Sequence, residues 1–139
     1  MTFYNAKLEE VVRNNPRYAY EAYEFVFQAL LFTQKKLGRE PPEDTVDPEA
    51  VRPHHHVSGQ ELVEGIRVLA LREFGFMART VFRCWGVDRT DDFGEIVFIL
   101  VEAELMNKTS EDTRDDFRGV YDLDEALVQG FRIQLDEAR

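Results

Sequence analysis

Most of the sequence signals that announce a chemistry are missing from this chain. Its single cysteine, Cys84, cannot form an internal disulfide and supplies no CxxC pair for a zinc or redox site. The three histidines form one run, His54-His55-His56, and no HExxH motif occurs. There is no glycine-rich phosphate loop, Walker sequence or GxSxG nucleophile elbow. The longest apolar run, Ile96 to Val101, is far too short to span a bilayer. Residues 1–10 lack the basic and then apolar pattern of a secretory signal. A cytoplasmic protein with a reduced Cys84, and no membrane partner, is therefore expected.

Apolar surface and acid are abundant. The 139 residues are 44% hydrophobic, with Phe 11, Tyr 5 and Trp 1, which disfavours disorder. The length is that of one domain able to bury an ordinary core. The 27 acidic and 17 basic side chains give a formal net charge of -10. That charge is unevenly placed: residues 1–87 carry -1 and residues 88–139 carry -9. An anionic chain repels nucleic acid and anionic membranes, so neither is the expected general partner. The acidic half is read either as a solvated face or as a docking surface for a basic protein.

Periodicity predicts a mainly α, compact helical domain of about five helices spanning 1–139. A helical pair is expected over 1–37, roughly Phe3 to Asn14 and Arg17 to Leu37, closed by Asn15-Pro16 and Gly38. Residues 38–57 hold four of the five prolines and five acids, and read as a long loop. A three-helix unit is expected over 58–106. Its first helix, 58–74, opens on the capping box Ser58-Gly59-Gln60-Glu61, with Val57 and Leu62 as a hydrophobic staple. The second covers about Met77 to Trp85, and Cys84 on it reads as a buried thiol. The third opens at Thr90-Asp91-Asp92, whose cap signals favour a helix over a buried strand despite the β-branched run that follows. Residues 107–139 form an acidic C-terminal segment, with a strand at Phe117–Tyr121, a short helix at Glu125–Gln129 capped by Asp122 or Asp124, and a strand-like Gly130–Leu135. Three helices followed by a short C-terminal β-hairpin, about 105–121, make a winged-helix-like order. Its third helix would present Asp91, Asp92, Glu95, Glu102 and Glu104, which phosphates repel.

The chain also resembles an uncharacterised bacterial conserved-hypothetical family described from planctomycetes and verrucomicrobia. The resemblance rests on His56 to Arg67, on Trp85-Gly86-Val87, on Asp92 to Phe98 and on Val120 to Ala126. It implies a one-domain bacterial protein and brings no activity, cofactor or catalytic residue with it.

No catalytic residue and no cofactor is assigned. His54 and His56 point the same way in an extended chain and are the candidates for metal ligands, with loop acids such as Asp47 and Glu49 nearby in sequence. Asp112, Asp115, Asp116, Asp122, Asp124 and Glu125 depart from the EF-hand pattern, since Arg114 stands at its third position. Arg79 and Arg83 are four apart, with Arg72 near, and read either as internal partners of the acidic segment or as a site for an acidic ligand. The interaction candidates are thus Arg72, Arg79, Arg83, Asp115, Asp116, Asp122 and Asp124. The leading expectation is a non-enzymatic interaction or regulatory module with an acidic surface. Alternatives are a small metal-binding protein or enzyme using the His54–His56 loop, and a nucleic-acid-associated winged-helix-like factor.

Overall fold

The computed structural model describes residues 6–39, 57–106 and 114–129. The described residues are mainly helical. The helices are α1 (Ala6–Asn14), α2 (Tyr20–Lys36), α3 (Gly59–Phe74), α4 (Ala78–Cys84) and α5 (Thr90–Glu102). A single-turn 3-10 segment, Gly75–Met77, joins α3 to α4. A second one, Arg114–Phe117, and a π-helical turn, Glu125–Gln129, follow α5. No described helix is long and apolar enough to cross a membrane.

Each boundary has a local cause. Proline at 16 ends α1, and the Asn15 side chain donates to the Val11 carbonyl at 2.9 Å, taking up one of the helix's last acceptors. Helix α2 closes at Gly38, whose φ of 69° is easy only for glycine; the Gly38 and Arg39 amides return to the Lys35 and Gln34 carbonyls. Helix α3 starts on the expected capping box: the Glu61 amide donates to Ser58 Oγ and the Ser58 amide to Glu61 Oε1. Helix α5 keeps its β-branched run helical because an alternative strand would need a partner, while the helix buries Phe93, Ile96, Val97 and Leu100 against α2 and α3.

Helix α2 runs through the middle and packs most extensively on α3. Gly65 allows this approach, because a Cβ there would collide with the Thr33 side chain. Phe25, Phe74, Phe82, Trp85 and Phe93 form one aromatic cluster, with successive centroids 5.2–5.7 Å apart. Leu8, Tyr23, Ile66 and Leu100 are fully buried around it.

Three expectations are corrected. Phe117 to Tyr121 is not a strand, and no strand occurs among the described residues, so this stretch supplies no hairpin or wing. Phe117 instead closes the 3-10 turn, and its ring fills a slot left by Gly59 and Gly94, where added Cβ atoms would lie 2.9 and 2.8 Å from Phe117 or Asp116 atoms. Gly119 takes φ 54°, which breaks an extended run. Asp92 is buried, not displayed on the outer face of α5. Cys84 is exposed, because it sits on the outer side of α4 while Ala78 and Phe82 take the core side. The expected 107–113 arm of the hairpin, the strand-like Gly130–Leu135 and the loop 40–56 lie outside the described residues.

Candidate functional site

Asp92 is the most heavily bonded side chain that the sequence did not single out for binding. It is 4% exposed and accepts four hydrogen bonds: Arg17 Nη2 at 2.9 Å, Tyr18 Oη at 2.7 Å, and the Asp88 and Arg89 amides at 2.8 and 3.1 Å. The two amides make it a reverse cap of α5, which suits a carboxylate in a helix's first turn. Burial, and then the Asp92 hydrogen bond, push the Tyr18 phenol well above its usual range. The network ties the α1–α2 turn to the start of α5. Only the cap position was legible, since Arg17 and Tyr18 stand more than seventy residues away.

The neighbouring Thr90 and Asp91 clamp the C-terminal segment. Thr90 Oγ1 donates to the Phe117 carbonyl and accepts from the Val120 amide, and Asp91 accepts from the Gly119 amide. Further along, Tyr121 Oη donates to the Val63 carbonyl. Burial, and then the Glu64 charge, raise the Tyr121 phenol. Asp122 caps the last turn by accepting from the Glu125 amide at 3.1 Å.

Arg79 and Asp124 face each other. Arg79 is 12% exposed in its side chain, donates to Asp124 at 2.9 Å and to the Val87 carbonyl at 3.2 Å, and lies 3.4 Å from Asp88. It is an internal partner of the acidic segment. Arg72 and Arg83 are exposed. Asp115 pairs with Arg118 at 3.2 Å, both largely exposed, and Asp116 is half-buried. His54 and His56 lie outside the described residues. Among the described residues, no group of three metal-ligating side chains is gathered.

Three acids of α5 share a face. Asp91, Glu95 and Glu102 fall on one stripe with Phe98, at spacings of four, three and four. The stripe is roughly 16 Å long, the reach of about five extended residues. Arg114 lies across it: its Nε is 3.4 Å from Glu95 Oε1, and its guanidinium carbon is 5.3 Å from the Phe98 ring centre. Glu95 also lines a cleft of about 540 Å³ that opens between the α1–α2 turn and α5. Asn14, Asn15, Pro16, Arg17 and Tyr18 form one wall, and Glu95 and Ile99 the other.

A second cleft, about 300 Å³, lies where α2 ends beside the start of α3. Its carboxylates are already committed. Burial raises Glu61, but hydrogen bonds from Ser58 and Arg39 outweigh it and hold the carboxyl below its usual range. Glu64 is held low first by its hydrogen bonds from Arg67.

Comparison with protein-family models, with curated proteins and with solved structures gives no match.

Proposed function

We propose that this protein is a non-enzymatic interaction module that docks a basic segment of a partner protein on the outer face of α5. What supports the reading most is Arg114. The chain's own guanidinium lies on that face, against Glu95 and over Phe98, as a partner's would. The net charge of the second half of the sequence favours the same sign of partner, since residues 88–139 carry -9. Such a field speeds encounter and fixes orientation more than it adds affinity, so binding is expected to weaken steeply with salt.

The test is capture from the native cell with two baits, the wild-type chain and the Glu95→Gln, Glu102→Gln double variant. The expected result is a stoichiometric basic protein held by the first bait and lost from the second. Retention of that partner by the double variant, or repeated recovery of no partner by the wild type, contradicts the proposal.

A further inference from the structure

Resting on that docking role, we propose that the cleft between the α1–α2 turn and α5 receives one arginine side chain of the basic partner, and that Arg114 is its internal competitor. Among the described residues, the cleft carries a single carboxylate, Glu95, beside the apolar surfaces of Pro16 and Ile99. That pairing suits a long aliphatic stem with a cationic head. Asn15 spends its amide nitrogen on the Val11 carbonyl, which leaves its amide oxygen as an acceptor. The cation on the wall, Arg17, is neutralised by buried Asp92 at 2.9 Å and so opposes a second cation only weakly.

The choice of guanidinium over ammonium follows from the two arginines already there. Arg17 lies 5.1 Å from the Tyr18 ring centre and Arg114 lies 5.3 Å from that of Phe98. Arg114 pairs with Glu95, while Arg17 lines the same cleft as Glu95 and pairs with Asp92; stacking on an aromatic face while pairing with a carboxylate is an arginine geometry. Glu95 therefore adjoins two cation sites. Arg114 uses the outer one, and the cleft offers the inner one. The Arg114–Glu95 pair is cheap to exchange, because its side chains are 59% and 42% exposed. Its turn stays in place when it lets go, since Phe117 is buried in the slot between Gly59 and Gly94.

The test is calorimetric titration at low ionic strength with a short synthetic Arg-Gly repeat peptide and its Lys-Gly counterpart. The wild type should prefer the Arg-Gly peptide. Glu95→Gln should weaken binding by about fivefold or more, and Arg114→Gln should tighten it by about two- to fivefold, the range an exposed pair commands. Glu73→Gln, which changes the net charge equally at an exposed site elsewhere, should leave it unchanged. Thermal melts verify that each variant is folded. If the wild type binds and Glu95→Gln binds equally well, the cleft assignment falls while the docking role stands. If Arg114→Gln binds no tighter, the competitor role falls. If Lys-Gly binds as well as Arg-Gly, the guanidinium preference falls. If neither peptide binds the wild type, the docking role fails and this inference fails with it.

Discussion

Two tyrosines near the start of α2 should respond in opposite ways to loss of the same atom. Tyr23 is fully buried, and its hydroxyl has no hydrogen-bond partner among the described residues. Folding strips that hydroxyl of water and returns nothing, a penalty of about 1–3 kcal/mol for a neutral polar group. Tyr23→Phe removes the penalty and keeps the ring. The ring's edge contact with Tyr18, 6.4 Å between centroids at 75°, survives the change. The variant should be about 1 kcal/mol more stable than the wild type, which corresponds to roughly 3 °C in melting temperature for a domain of this size. Tyr18→Phe is the internal control. Its hydroxyl donates to a buried carboxylate at 2.7 Å, and hydrogen bonds to charged groups contribute about 1.5–3 kcal/mol. Three donors to Asp92 remain, so the loss should lie near the lower end, about 1.5 kcal/mol. Urea unfolding with an unchanged slope reads both values. Destabilisation of Tyr23→Phe by about 1 kcal/mol or more would refute the reasoning. So would a neutral Tyr18→Phe.

Gly94→Ala should destabilise by about 1–3 kcal/mol despite the better helix propensity of alanine, because its Cβ would meet Phe117 at 2.8 Å; chemical denaturation measures it. Acid should erode stability through Glu61. Its folded pKa is lowered, so its contribution is full above the unfolded value of about 4.3 and is lost as pH falls through the folded one. Glu61→Gln should flatten that acid limb in a series of melts. Alkali should act through Tyr18 and Tyr121, whose raised pKa values give stability that is full below about pH 10 and lost above it. The part of the phenolate absorbance that a Tyr18→Phe, Tyr121→Phe double variant lacks should then rise together with loss of helical ellipticity, and its rise well before unfolding would contradict it. Arg79→Gln should speed amide exchange at 120–127 while leaving α2 and α3 protected, because Arg79 straps that segment through Asp124.

The helices were readable where their signals are local. Ser58 and Glu61 are three residues apart and cap each other, so the start of α3 could be placed from four letters. Gly38, Gly75 and Gly86 mark stops because each adopts a positive φ. The C-terminal segment was misread for the same physical reason in reverse. Phe117 to Tyr121 has an extended-looking composition, but its backbone groups find Thr90 and Asp91 rather than a neighbouring strand. Arg79 and Arg83 share a face by spacing, yet a long side chain bends toward its partners, and Arg79 turns to Asp124 and Val87. Asp92 looked like one more surface acid, and the donors that bury it lie far away in sequence. The α5 stripe was implicit in the spacing of Asp91, Glu95 and Glu102. The cleft beside it was not, because its other wall comes from the α1–α2 turn.

The most direct test of the docking role is an amide chemical-shift map of the labelled protein during titration with the Arg-Gly peptide. Shifts that saturate and concentrate at 14–18 and 91–102, with Arg114 moving alongside, are the predicted result. Shifts centred on α4 and residues 72–77, or no saturable shifts at low ionic strength, would contradict it.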